Sequence, residues 1–465
     1  MRKSIEIPVW GHFLLILLLI LSIFSANPLL SVLSLGIIVF LTKLLWKKGE
    51  PPVLLFIVFI QWIQASTKIL HANIYNKPLR VFSSIKLVEE AIILSLIGIV
   101  ILAIGMSLAV RRMRTLNFAQ IYEVGKMLNT NRLIKTYFIS LVVIFGLSFI
   151  RSMVPALSQI ILAVQNIKWI VIFILVFSLL VKREKYFYII IVFCIELIIG
   201  LTGYFAGFKT IFFFLLIAIA TVRYRLNLSN MMPIGVALSS MIFFMILWTG
   251  IKGDYRNFLS KGERAQIILV SPDEQFIQLT KLIFDLDLKQ FTNSVDQTLQ
   301  RISYVDYFGH VLEYVPKIHK YEYGKLWLTA VEHILVPRVI FPTKAILPSD
   351  SELTMEYTGL RLASFAQGSS ISIGYMGESY IDFGKFGMFI PIFILGYLWG
   401  AFYKYFITRS KVKVIGFAFA VAVLINAYQL EMNSTKLLGS MIMQFIVLAL
   451  LFKLTEVRLY KWLVM

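Results

Sequence analysis

Residues 231–256 read MMPIGVALSSMIFFMILWTGIKGDYR, and the way this stretch changes character decides the fold. Nothing from Met231 to Thr249 carries a charge. An apolar run of that length matches the roughly 20 residues with which an α-helix crosses a bilayer, where every backbone N–H and C=O must be bonded inside the helix. Lys252, Asp254, Tyr255 and Arg256 follow at once, at the height expected of a membrane–water boundary.

The same alternation extends in both directions. Phe13 to Phe24, Ile139 to Phe149 and Met388 to Ala401 are apolar runs set between basic clusters. Hydrophobic residues make up 59% of the 465 and charged residues 15%, against about 25% charged in a soluble chain. Mean hydropathy is +0.82. The chain therefore reads as an all-α polytopic membrane protein with about twelve spans, near 9–25, 28–46, 51–68, 90–110, 136–152, 167–181, 187–203, 210–222, 231–249, 386–403, 414–430 and 437–452. Three regions follow: N-terminal spans over 1–249, one large loop over 250–385, and C-terminal spans over 386–465. The run from Val9 follows Arg2 and Lys3, but no small-residue cleavage pattern comes after it, so it reads as the first helix and not as a secretory signal. Cys194 is the only cysteine, which excludes intrachain disulfides and thiolate metal clusters and leaves it a packing role.

A net charge of +20 would point to nucleic acid in a soluble protein. Its distribution argues for topology instead. One alternating set of inter-span segments runs from Arg2/Lys3 through Lys43/Lys47/Lys48, Arg111 to Lys135, Lys182/Arg183/Lys185, Arg223/Arg225 and Lys404 to Lys413 to the tail from Lys453. It holds 23 Lys and Arg, and the short segments of the opposite set hold 8. Short cytoplasmic loops are the ones enriched in Lys and Arg, so both termini are expected in the cytoplasm and the 250–385 loop outside. That loop carries 14 basic and 16 acidic residues and is close to neutral. The bilayer is thus the first partner, and no nucleic acid is implied.

The loop is no linker. Phe276, Leu279, Ile283 and Leu286 recur at helical spacing, as do Leu299, Ile302, Val305 and Leu312, which predicts amphipathic helices. Tyr304, Tyr307, Tyr314, Tyr321, Tyr323 and Trp327 suit a membrane-interface cap or stacking on sugar rings. Pro337, Pro342 and Pro348 then interrupt regular structure, and Gly374, Gly377, Gly384 and Gly387 predict tight turns on the return to the membrane.

The candidate chemistry gathers at the outer boundary. No Walker loop, no G-x-G-x-x-G after a strand and no H-E-x-x-H occurs, so neither a nucleotide nor a metal cofactor is expected. Lys252 and Arg256 are four residues apart, where two cations on one helical face repel unless an anion such as a diphosphate lies between them; snorkelling from a helix end is the plainer account of Lys252 alone. Lys209 stands in a short outer connection whose Gly203 and Gly207 permit a tight turn, within reach of the same anion. Glu196 is an intramembrane carboxylate, a functional group or a protonated or lysine-paired structural one. Arg338 sits between Pro337 and Pro342, a rigid mount for a guanidinium that grips phosphate through two bonds. Glu332 and His333, just upstream, are candidate proton acceptors or structural loop residues. Glu378 and Asp382 share a face if their segment is helical, one able to act as a base while the other binds sugar hydroxyls.

These pieces, Gly203-x-x-x-Gly-Phe-Lys209, Trp248-x-x-x-Lys-x-x-Tyr-Arg256, Pro337-Arg-Val-Ile-Phe-Pro-x-Lys344 and Gly377-Glu-x-Tyr-x-x-Phe-Gly384, resemble in order and spacing the bacterial O-antigen and exopolysaccharide repeat-unit polymerases, the Wzy family. The likeness covers most of residues 200–400. Ala345 stands where a proline commonly follows the lysine, and Asp382 stands where Asn is usual. The resemblance implies a GT-C-like, metal-independent glycosyltransferase of the bacterial inner membrane. Such an enzyme moves a growing glycan from undecaprenyl diphosphate to the sugar end of a second undecaprenyl-diphosphate-linked repeat unit on the periplasmic face. The product class is a surface polysaccharide such as O-antigen, enterobacterial common antigen, capsule or exopolysaccharide, and a flippase and a chain-length regulator are the partners such enzymes work with. The resemblance carries over Lys209, Lys252, Arg256 and Arg338 as diphosphate contacts and Glu378 as part of the reacting centre, with Asp382 and His333 as further candidates. The rival readings are an O-antigen ligase, whose loop histidine is followed by Asn, Ser or Gln, and a non-enzymatic lipid-linked oligosaccharide flippase. His310, His319 and His333 precede Val, Lys and Ile here, and no internal repeat of the transporter kind is visible.

Overall fold

The structure is a computed structural model that describes residues 4, 6, 8–204, 207–223, 227–263, 267–336, 341, 347–362 and 371–464. Among these no strand forms, and the helices follow one another along the whole chain. The first group is α1 (Val9–Ile23), α2 (Pro28–Leu45), α3 (Val53–Ile74), the single turn α4 (Leu79–Phe82), α5 (Val88–Val110), α6 (Phe118–Met127) and α7 (Thr130–Met153). Then come α8 (Ser158–Gln165), α9 (Ile167–Lys182), α10 (Phe187–Leu201), α11 (Lys209–Val222) and α12 (Leu228–Leu259). The large loop folds as α13 (Pro272–Phe284), α14 (Leu288–Ile302), α15 (Val305–Tyr314), α16 (Lys325–Leu335), α17 (Asp350–Thr358) and α18 (Gly374–Gly387). The chain closes with α19 (Phe389–Arg409), α20 (Lys413–Leu424) continued by a 3-10 turn over Ile425–Tyr428, and α21 (Ser434–Val464).

Eight of these helical stretches are long and apolar enough to cross a membrane: α2, α3, α5, α7, the α8–α9 run, α12, α19 and α21. Shorter apolar helices occupy Val9–Ile23, Phe187–Leu201, Lys209–Val222 and Lys413–Tyr428. Every segment expected to be apolar and helical is so, and the architecture is that of a helical multi-pass membrane protein. The outward faces agree. Phe13, Phe145 and Phe149 point away from the bundle, where lipid and not water suits them. Cys194 is exposed as well, so it does not pack inside as the sequence suggested.

The centre is built from the helices with no polar face. Every residue of α9 from Ile170 to Leu180 is buried, and so is every residue of α20 from Val414 to Leu424. The tightest crossing joins α5 to α19, and glycine makes it possible. A side chain at Gly396 would come 2.1 Å from the Leu102 carbonyl oxygen, and one at Gly105 would come 2.5 Å from the Phe393 carbonyl oxygen. Membrane helices gain from such small residues because apolar side chains are as well solvated by lipid as by each other. Glu196, on α10, is lysine-paired, one of the two readings the sequence allows: Lys168 Nζ lies 2.7 Å from one of its oxygens, and the Tyr137 hydroxyl donates to the other at 2.9 Å.

The structure moves several of the expected limits, α21 among them, which runs on to Val464. α3 continues past the expected end at 68 to Ile74, and α12 runs to Leu259, so the loop begins ten residues later than the change to charge at 250 suggests. The apolar repeat from Leu299 to Leu312 is two helices, because α14 ends at Ile302 and the chain turns at Ser303 before α15. The segment around Gly377, expected to turn, is the buried helix α18.

Candidate functional site at one end of the bundle

One face of α3 carries Gln61, Gln64, Lys68, His71 and Tyr75 at alternating spacings of three and four, a polar stripe in an otherwise apolar span. Gln61, Gln64, Lys68 and His71 are buried. Buried polar groups at membrane depth are costly unless bonded, and each of these finds a partner on an element far away in sequence. Gln61 donates to the Ala427 carbonyl at 3.0 Å and accepts from the Tyr375 hydroxyl at 2.8 Å. Gln64 donates to Glu431 Oε2 at 2.5 Å and accepts from the Leu430 N–H at 3.2 Å. Lys68 pairs with Asp306 at 2.7 Å, on α15. His71 Nε2 lies 3.4 Å from Asp296, on α14, and the Tyr75 hydroxyl donates to that same carboxylate at 3.0 Å. Asp306 Oδ1 and His71 Nδ1 remain buried with no hydrogen-bond partner among the described residues, so both keep bonding capacity for a ligand.

The stripe leads to the turn between the 3-10 segment and α21, which collects the remaining charge. Glu431 stands in it, half-buried, and Lys209 at the start of α11 lies in the fields of Glu431 and of Arg301 at the end of α14. Tyr304 completes the group. Burial first, then the charge of Glu431, pushes its hydroxyl well above the ordinary phenol range, so it is a hydrogen-bond donor at any physiological pH. On the other side of the turn Asn433 donates to Asp350 at 2.7 Å, and Lys436 pairs with the second oxygen of that carboxylate. The turn is held from below by α18. Gly374 has φ +75°, and a side chain there would come 2.4 Å from the Leu430 carbonyl oxygen, so only glycine lets α18 dock this closely. The Tyr375 N–H then donates to the Met432 carbonyl at 2.8 Å, and Glu378 accepts from the Ser434 N–H at 2.6 Å. Burial pushes Glu378 up to about 7, against the hydrogen bonds from Ser434 that lower it. α18 lies outside the membrane-length helices.

The residues anticipated from sequence separate into three groups. Lys209 is in the charged group at the Glu431 turn just described. Glu378 is 3% exposed and bonded to the Ser434 N–H, so it braces the turn. Asp382, a candidate for the reacting centre, has its oxygens engaged: they accept the Leu326 N–H at 3.1 Å and the Trp327 N–H at 2.8 Å, and it thereby caps the first turn of α16. Arg256 donates from Nε to the Tyr204 carbonyl at 3.1 Å, with its guanidinium 4.9 Å from the Tyr204 ring centre, and so steadies the turn that precedes Lys209. Lys252, one turn back, is half-buried. His333 is half-buried on α16, and Arg338 lies outside the described residues. Sequence reading passed over Glu431, Arg301 and Asp350, and counted Lys68 only as a charge. The three-and-four spacing of polar residues within α3 was the signal available for Lys68; Glu431 offers no local signal, because it is defined by what the turn brings near it.

Beside α18, an apolar groove of about 400 Å³ opens between α16, α19 and α21, lined by Trp327, Val331, Phe383, Ile390, Ile394 and Leu438 among others. Trp327 ties the groove to α18, since its indole N–H donates to Ser379 at 3.1 Å. Among the described residues His319, Glu322 and Glu356 are the group able to hold a metal ion, with ligand atoms within 4.8 Å of one another. Lys325 already pairs with Glu322 at 3.2 Å, and this group stands apart from the Glu431 turn.

No curated protein and no solved structure matches the chain. A family model described as "Domain of unknown function (DUF8712)" matches residues 70–457, a stretch that takes in the α3 end of the stripe, the loop helices and the Glu431 turn, and the chain belongs to that DUF8712 family.

Proposed function

We propose that the protein polymerises undecaprenyl-diphosphate-linked oligosaccharide repeat units into a surface polysaccharide at the periplasmic face of the bacterial inner membrane, as a GT-C-like glycosyltransferase with twelve spans, cytoplasmic termini and a periplasmic loop. The observation that supports this reading is a charged cluster around the Glu431 turn, which leads into α21, beside an apolar groove that α21 also lines. A lipid-diphosphate donor is itself half charged and half apolar. The groove between α16, α19 and α21 has the chemistry to take isoprenoid, and Lys209 and Arg301 have the charge to meet a diphosphate.

In this reading the acceptor sugar hydroxyl attacks the anomeric carbon of the donor glycan. The bond from that carbon to the diphosphate oxygen breaks, and the hydroxyl proton passes to a carboxylate. Glu431 is that base, because its Oε2 is held by Gln64 while the group stays half-buried beside Lys209. Cations aimed at the departing diphosphate stabilise the developing charge, on the order of 3 kcal/mol each. Lys209 and Arg301 fill that role, with Arg338 as the contact implied by the Wzy resemblance. Glu378 positions the turn.

Cells lacking the gene provide the test, with glycan size read on a gel. The expected result is single repeat units on the final acceptor in place of a ladder. A normal ladder, long unattached chains, or units trapped inside the cell would each overturn the proposal, the last two in favour of a ligase or a flippase.

A further inference from the structure

At the opposite end of the bundle a cavity of about 710 Å³ opens between the segment that follows α5 and the one that follows α19. Arg112, Arg114, Asn117, Lys411, Lys413 and Tyr460 are among its lining residues, and no carboxylate is. The glycine crossing of α5 and α19 explains how two segments so far apart in sequence arrive together. Glu456 fixes one wall, accepting from the Ser410 hydroxyl at 2.6 Å and the Val412 N–H at 2.8 Å. Lys413 closes the end of α19 by donating to the Ile407 and Ser410 carbonyls at 3.0 and 2.6 Å. Arg112, Arg114 and Lys411 are exposed, and their side chains form no hydrogen bond or ion pair among the described residues.

The bias of short loops toward Lys and Arg accounts for cations at this end, and it is satisfied by side chains that reach outward separately. It does not account for three unpaired cations around one concavity whose fourth cation, Lys413, is spent on backbone carbonyls. Like charges gathered in a cleft raise its potential and concentrate anions there, and basic pockets between helices are where phosphate headgroups bind. We propose that this cavity binds a phosphate-bearing anion at the membrane surface, with Arg112, Arg114 and Lys411 as its contacts. The source is an anionic lipid headgroup or a soluble diphosphate.

Native mass spectrometry of the purified full-length protein tests this, with cardiolipin, phosphatidylglycerol and phosphatidylcholine as lipid probes and pyrophosphate as the soluble probe. Cardiolipin retained on the order of tenfold better than phosphatidylcholine, and released in R112Q/R114Q/K411Q, supports a lipid source. Pyrophosphate retained without lipid and released by the same substitutions supports a soluble one. Arg183→Gln removes one charge from the same end outside the cavity and is expected to change neither. Should the triple variant not purify, Arg112→Gln and Lys411→Gln singly carry the comparison. Equal retention of every probe by wild type and variants overturns the proposal.

Discussion

The two ends of the bundle carry comparable numbers of cations and use them in opposite ways. At the end that carries the Glu431 turn, Lys68 and Lys436 are paired with carboxylates, Lys209 lies in the field of Glu431, and Glu378 is buried beneath the turn. At the basic end Lys48 and Lys126 pair with Glu6 and Glu123, but around the cavity, whose lining has no carboxylate, Arg112, Arg114 and Lys411 are exposed and unpaired among the described residues. Interlocked charge of both signs is expensive to assemble and fixes geometry, which suits chemistry on a bound group. Charge of one sign at the surface fixes little and suits attraction. Position in the fold, more than residue type, therefore separates the candidate site from the topological signal.

The largest expected effect comes from removing a cation beside the Glu431 turn. Lys209→Met or Arg301→Gln should reduce polymer formation about a hundredfold, while Arg183→Gln at the basic end should leave it within about twofold; ladder intensity in complemented cells measures both. Breaking the crossing that connects the two ends comes next. Gly396→Leu places a side chain on the Leu102 backbone, and it should cost about 1–3 kcal/mol, read as a lower melting temperature and as loss at both ends together.

A pH titration separates Glu378 from the basic end. Its carboxyl is raised from 4.5 to about 7 in the folded protein. Between those values the folded state keeps a proton that the unfolded state has released, so the stabilisation is fully present at low pH and is lost as pH rises through about 7. Wild type should thus fall in stability relative to Glu378→Gln between pH 5 and pH 8, by roughly 3 kcal/mol at most. Parallel melting curves for the two proteins would deny the buried carboxyl this role. The smallest effect is expected at Asp382. Asp382→Asn keeps one accepting oxygen toward α16 and should cost about 1 kcal/mol, with polymer length unchanged.

The apolar spans were legible because lipid demands a helix-length run free of charge, a local property that Met231 to Thr249 display without help from the rest of the chain. The loop helices were half legible. Their apolar period showed, but the break at Ser303 did not, since a turn that keeps the period in phase leaves no mark on it. α18 was misread because Gly374 and Gly384 look like turns, whereas their positive φ values serve a docking contact at one end of a helix and a kink near the other. Lys209 was found from its turn and its charge. Glu431 was not, because nothing near it in sequence is unusual; Gln64 bonds it and Lys209 enters its field only after elements far apart in the chain have come together. Asp382 was found but its cap on α16 was not, since a carboxylate four residues from another looks the same whether it faces a sugar or caps a helix.

The most direct test places purified wild type and Glu431→Gln in phosphatidylglycerol-containing vesicles with a synthetic undecaprenyl-diphosphate-linked repeat unit and measures product length. The proposed function predicts a ladder from wild type and single units from a Glu431→Gln protein that melts at the wild-type temperature. A wild type that never extends the unit, or a Glu431→Gln protein that extends it as fast, would contradict it.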